Sequence, residues 1–146
     1  MPKPQAPGRA DYGWFSPLIT RWSDNDIYGH VNNVVYYSYF DSIANRYLIE
    51  QGGLDIHDGK TVGLVVNSGC SYYAPIAYPQ SLDGALRVDQ LGNSSVQYGI
   101  AIFVAGEDVA CASGTFTHVF VDRASNRPVP IPAQMRDALA AIAVAD

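Results

Sequence analysis

The stretch SDNDIYGHVNN, Ser23 to Asn33, gathers two carboxylates, a histidine, a glycine and three asparagines into eleven residues. Calcium is the first chemistry such a run suggests, because Asp24, Asp26 and Gly29 fall at positions one, three and six of an EF-hand-like loop. The remaining positions fail: Tyr28 stands at five, Val35 stands where a bidentate glutamate is needed, and no helix precedes the loop. A zinc site needs three or four ligands at closed spacing, and His30, His57, His118, Cys70 and Cys111 show none. Cys70 and Cys111 sit in strand-like segments with no neighbouring histidine or helix start to lower a thiol pKa, which suits small buried residues better than nucleophiles. GxSxG, GxGxxG and Walker patterns are absent from the sequence.

Position supplies another chemistry. The cluster immediately precedes a long helical segment, whose first N–H groups lack intrahelical partners and whose dipole makes that end partly positive. Such an end can hold a developing oxyanion, while a carboxylate beside it, Asp24 or Asp26, attacks a carbonyl or takes a proton from water. Capping alone needs one residue of this type. Asp24, Asn25, Asp26, His30, Asn32 and Asn33 exceed that requirement.

The helix is read from Val34 to Gln51, where Tyr36, Tyr39, Phe40, Ile43, Ala44, Tyr47 and Leu48 recur at helical spacing opposite Ser38, Asp41, Ser42, Asn45 and Arg46. It spans about five turns. Asn32 or Asn33 can cap its start, and Gly52-Gly53 supplies a left-handed residue at its end. Before the cluster, WFSPLITRW reads as a strand whose pairing starts after Pro17. After the helix, four β-rich runs between Val62 and Val121 are broken by APIAYPQ, Gly92-Asn93 and Ala105–Asp108, the pattern of an antiparallel meander. Pro128, Pro130 and Pro132 bar helix until Ala133, where a short amphipathic one can begin. Strand, helix and four strands define an α+β chain, either a curved antiparallel sheet around one central helix or a flatter two-layer sandwich.

Composition narrows the classes. At 146 residues and 48% hydrophobic, the chain is long enough for one domain with a real core, assigned to residues 14–146. Residues 1–13, rich in Pro and Gly and without an apolar run, read as a flexible arm with no secretory signal. A net charge of -5 with nine Lys and Arg argues against wrapping nucleic acid or an anionic membrane, both of which need clustered cations. No run approaches the length of a transmembrane helix, and two unpatterned cysteines suit a reduced, cytoplasmic protein.

The run RWSDNDIYGHVNNVVYYSYFDSIANRYL resembles the signature region of the hotdog-fold thioesterases of the 4-hydroxybenzoyl-CoA thioesterase family. SYYAPIAYPQSL, GNSSVQYGIAIF and THVFVDRASNRPVPIP resemble that family's later turn, hairpin strand and exit, so the likeness spans Ile19 to Pro132. The resemblance implies a strongly curved antiparallel sheet wrapped around one long central α-helix. It implies hydrolysis of an acyl-CoA, with Asp26 as nucleophile or general base and a backbone N–H at about Asn33 polarising the thioester carbonyl. GHVNN also resembles a segment of plant acyl-ACP thioesterases, which adds His30, as a holder of water or of Asp26 or as a structural member of the turn. The asparagine of those enzymes is Tyr28 here, so their full triad does not carry over. Tyr28 and Gly29 then belong to the substrate-binding turn, Ser95 lies near the thioester, and Arg127 is either a contact to the CoA phosphates or a solvated surface residue. The resemblance implies no metal and no cofactor beyond the CoA of the substrate, and homodimers or homotetramers with acyl pockets at subunit interfaces. An enoyl-thioester hydratase or dehydratase on the same fold, and a non-catalytic acyl-thioester binder, are the alternatives.

Overall fold

β-branched and aromatic residues in alternation carry five segments into one antiparallel sheet in the computed structural model, which describes residues 5–144. The strands are β1 (Trp14–Ile19), β2 (Thr61–Tyr72), β3 (Ser81–Leu91), β4 (Ser95–Val104) and β5 (Ala112–Asp122), in the spatial order β1-β3-β4-β5-β2. β3, β4 and β5 form the expected meander. β2, which precedes them in sequence, pairs with the far side of β5, and among the described residues no strand pairs with its other edge. Pairing of β1 does not wait for Pro17: the ladder runs from Trp14↔Leu86 to Ile19↔Ser81, with Pro17 opposite Asp83. β1 is an edge strand, where alternate N–H groups have no ladder partner, so a proline is tolerated within it.

Helix α1 covers Val35–Glu50, one residue shorter at each end than its sequence spacing suggests. Its buried residues are Tyr36, Tyr39, Phe40, Ile43, Ala44, Tyr47 and Leu48, the set that helical periodicity selects. They pack with Leu82, Leu86, Ile100, Ile102, Phe116 and Phe120 of β3, β4 and β5 into the main core. The N-cap position belongs to Val34, and no side chain caps it; Asn32 instead accepts the Val34 N–H. At the other end Gly53 adopts φ +72°, and the Leu54 N–H returns to the Leu48 carbonyl.

The short second helix expected after the prolines forms as α2 (Ala133–Ala141), which buries Met135 and Leu139, so the fold holds two α-helices beside the sheet. Tyr47 of α1 donates its hydroxyl to the Ala138 carbonyl, and Arg136 clamps the Gly92 and Asn93 carbonyls of the β3–β4 turn. On the opposite face of the sheet, Tyr12 packs with Ala85, Ala101, Phe103 and Ala110. Arg9 joins Asp83 at 2.9 Å and lies over the Phe103 ring. Of the segment read as an arm, residues 1–4 lie outside the described residues. Both cysteines are free, and among the described residues no helix is long and apolar enough to cross a membrane.

Candidate functional site

Arg21 leaves β1 in extended conformation, and a single 3-10 turn, Trp22–Asp24, reverses the chain. A turn this short cannot bury much apolar surface, so polar bonds must fix it. The Asp24 side chain supplies them: Oδ2 accepts the Arg21 N–H at 2.9 Å and the Tyr39 hydroxyl at 2.7 Å, and Oδ1 accepts the Arg21 guanidinium at 3.1 and 3.2 Å. Asp24 is only 1% exposed. Burial pushes its carboxyl pKa up, but the hydrogen bonds from Tyr39 and Arg21 outweigh that and hold it below the usual value.

Asp26 heads the next turn. Its N–H donates to the His30 carbonyl at 2.9 Å, its carbonyl accepts the Gly29 N–H at 3.0 Å, and its Oδ1 accepts the Tyr28 N–H at 2.8 Å. Gly29 sits at φ +85°, a conformation a side chain resists, which explains the glycine. Among the described residues no donor reaches the second carboxylate oxygen, and Asp26 is half-buried. The His30 ring is exposed, while Val31 after it is buried and donates its N–H to the Ile76 carbonyl.

The chain then enters α1. Asn32 donates its N–H to the Asp24 carbonyl at 2.9 Å and accepts the N–H groups of Val34 and Val35 on its side-chain and main-chain oxygens. Tyr72, at the end of β2, donates its hydroxyl to the Asn33 carbonyl at 2.9 Å. Among the described residues the Asn33 N–H finds no acceptor. A carboxylate oxygen and a backbone donor are thus both left open within eight residues of one loop, the pair that acyl transfer requires. An open cleft of about 790 Å³, lined by Trp22, Asp26, Ile27, Tyr28, Gly29 and Asn32 among others, lies along this loop. A second of about 340 Å³ lies between His30, Tyr36 and Tyr72.

Asp26, Tyr28 and Gly29 thus line one cleft, His30 lines the other, and Asn33 follows them in the same loop. Ser95 and Arg127 do not join them within one chain. Tyr72 is level with Ala112 and Ile102 across the sheet, whereas Ser95 lies at the opposite end of β4, about 23 Å away at ~3.3 Å per residue. Val96 and Tyr98 face the core, so Ser95 points to the outer face, where it lines a groove with Gln97, Thr117 and Asp89. Arg127 is exposed in the turn after β5, whose end pairs with the start of β2. The partners that sequence spacing does not connect to the loop are Tyr39 and Tyr72, 15 and 39 residues away from the atoms they bind. Among the described residues no cluster of three or more His, Cys, Asp or Glu could hold a metal ion.

Residues 20–139 match the model of the thioesterase-like superfamily, and the chain belongs to that superfamily. The PA5185 protein from Pseudomonas aeruginosa strain PAO1 is 58% identical, with a TM-score of 0.94, and the match covers 96% of this chain and 98% of that one. A 1,4-dihydroxy-2-naphthoyl-CoA thioesterase from Synechocystis, Slr0204, shares the fold at 16% identity and a TM-score of 0.77, covering 86% of this chain and 94% of its own. YsmA of Bacillus subtilis (strain 168) is 23% identical over 124 residues, 83% of this chain and 81% of YsmA. Membership of the thioesterase-like superfamily supports thioester hydrolysis as the general activity.

Proposed function

We propose that the protein is an acyl-CoA thioesterase of the hotdog type, its sheet curved about α1, resembling the 4-hydroxybenzoyl-CoA thioesterases. The observation that carries this reading is the conjunction, in one loop and among the described residues, of an open Asp26 carboxylate oxygen and an Asn33 N–H without an acceptor two residues before α1. In this mechanism the Asn33 N–H polarises the thioester carbonyl, a donor worth about 3 kcal/mol of transition-state stabilisation. Asp26 attacks that carbonyl and breaks the C–S bond, forming a mixed anhydride that water hydrolyses to the free acid and regenerated Asp26, or it takes a proton from a water that attacks the carbonyl directly; in both routes CoA leaves as thiolate and is protonated by the proton that the water gives up. The exposed His30 ring holds the attacking water, and Tyr28 and Gly29 bound the acyl side. No metal or cofactor takes part.

The working unit in this proposal is a homodimer. β2 is a 12-residue edge strand on which Leu64, Val65 and Val66 are 44%, 46% and 58% exposed, an apolar edge of the kind that pairs with another strand. A two-fold pairing of β2 with its own copy is antiparallel, which moves the Arg127 end of one copy towards the Asp26 end of the other. Arg127 would then meet the CoA phosphates across the interface. Ser95, on the outer face, stays outside this site.

Thiol release from short, long and aromatic acyl-CoAs tests the reading, with the parent and Asp26→Asn assayed together. Release from at least one acyl-CoA, reduced about 10²–10⁴-fold in the folded variant, is the expected result. No release from any substrate, or equal release from both proteins, overturns it.

A further inference from the structure

Resting on the catalytic reading of Asp26 and Asn33, we propose that Asp24 is a positioning residue: its side chain and its carbonyl together set the distance between the Asp26 carboxylate and the Asn33 N–H. Asp24 touches neither cleft, since it does not line the one beside Asp26 or the one beside His30. Its bonds nevertheless reach three parts of the site. The carboxylate binds the Arg21 N–H and guanidinium, which fixes the chain as it leaves β1, and the buried Tyr39 hydroxyl, which belongs to the second turn of α1. The carbonyl accepts the Asn32 N–H, the peptide immediately before the free Asn33 donor. Asp26 follows Asp24 by two residues. A single residue thereby ties the approach to Asp26, the body of α1 and the backbone just before its N-cap.

The choice of an acid supports this assignment. Burying a carboxylate costs solvation that an apolar residue does not lose, and the hydrogen bonds from Arg21 and Tyr39 that offset this cost also fix the turn. These bonds are directional, and together they allow one orientation of the turn, whereas apolar packing would allow several. Misplacing reacting groups by about 1 Å can cost on the order of 10²-fold in rate.

The experiment compares the full chain with Asp24→Asn and Tyr39→Phe, each assayed well below its own melting temperature, and records the Asn33 amide and Asp26 carboxyl resonances by NMR. Asp24→Asn is expected to fold, to lower kcat about 10–100-fold with KM within about twofold, and to shift both resonances. Tyr39→Phe should move the same quantities in the same direction by less. In an Asp26→Asn background, Asp24→Asn should lower the residual rate little further, since the two act through one geometry. Unchanged kcat per folded molecule, or unmoved Asn33 and Asp26 resonances, overturns the proposal. If the parent releases no thiol from any acyl-CoA, the catalytic reading fails separately, and the resonances alone decide whether Asp24 sets the relation between Asp26 and Asn33.

Discussion

At the entry to α1, Asp24 is 1% exposed and accepts hydrogen bonds from the Tyr39 hydroxyl, the Arg21 N–H and the Arg21 guanidinium; in the middle of β5, His118 is equally hidden and meets one polar group, the Tyr98 hydroxyl, at 3.1 Å. The rings of Tyr98, Phe116 and Phe120 stand edge-on around that imidazole. Both groups titrate, and their surroundings drive them to opposite states. Donors from two elements keep Asp24 charged. Apolar burial pushes the His118 pKa down to about 4 and keeps the ring neutral. The difference follows from what else holds each region. β5 is already paired on both sides by β4 and β2, so His118 need only fit. The loop from Arg21 to Asn33 has no ladder beyond the single Asn25↔Val31 bridge and is held by isolated backbone hydrogen bonds together with the side-chain bonds of Asp24 and Asp26.

The largest effect expected from this contrast is on acid stability. The folded pKa of His118 lies below the ordinary value of 6.5, so between about pH 6.5 and pH 4 the unfolded chain binds the additional proton. Stability from this group is full above about pH 6.5, declines as pH falls and is lost by pH 4, a change of about 3 kcal/mol. Urea titrations at pH 7, 5.5 and 4 measure it, with His118→Leu as the control. That variant should show a shallower decline over the same interval. Equal declines in the two proteins would move the acid sensitivity elsewhere, and the picture of a neutral buried imidazole would fall. Asp24 works in the same direction over a lower interval, because its depressed pKa gives a contribution that is full above the ordinary carboxylate value of 3.8 and is lost as the pH falls through the folded value.

Removing one hydroxyl from each region sharpens the comparison at neutral pH. Tyr39→Phe deletes a bond to a charged carboxylate and should cost about 2 kcal/mol; Tyr98→Phe deletes a bond between neutral groups and should cost about 1 kcal/mol. Urea unfolding at pH 7 ranks them. A Tyr98→Phe loss greater than that of Tyr39→Phe would show that the sheet depends on its polar pair more than the loop does.

How much of this was legible in the sequence depended on the range of the interaction. Helical spacing of Tyr36, Tyr39, Phe40, Ile43, Ala44, Tyr47 and Leu48 named the buried face of α1 because a helix encodes its face in neighbours three and four apart. Turn residues likewise bracketed β3, β4 and β5, and the dense polar run marked the loop. What escaped was set by contacts between distant segments. Nothing near Asp24 announces that Tyr39 will cover it, and nothing near Asn33 announces Tyr72 from the far end of β2. Pro17 suggested a break in pairing because its edge position depends on β3, more than 60 residues downstream. Ser95 and Arg127 carried family likeness but no information about which end or face of the sheet they would occupy.

The smallest effect expected falls at Gly29, where backbone and side-chain demands separate. A Cβ added there meets nothing within 4 Å, so the φ of +85° is the one obstacle to a side chain. Gly53, at φ +72°, differs: its Cβ would also strike the Gln134 side chain. Left-handed backbone costs alanine about 1–2 kcal/mol, and the lost freedom of the unfolded chain returns about 0.4–1 kcal/mol. Gly29→Ala should therefore destabilise by about 1 kcal/mol or less at pH 7. Its effect on thiol release then separates two ways of holding Asp26. If the bonds from Asp26 to Tyr28, Gly29 and His30 dictate the turn, alanine keeps φ positive and the rate stays close to that of the parent. If alanine pulls φ negative, the Gly29 N–H leaves the Asp26 carbonyl, and the rate drops out of proportion to the stability. The first outcome is expected, because Asp24 and the Asn25↔Val31 bridge fix both ends of the turn independently of Gly29.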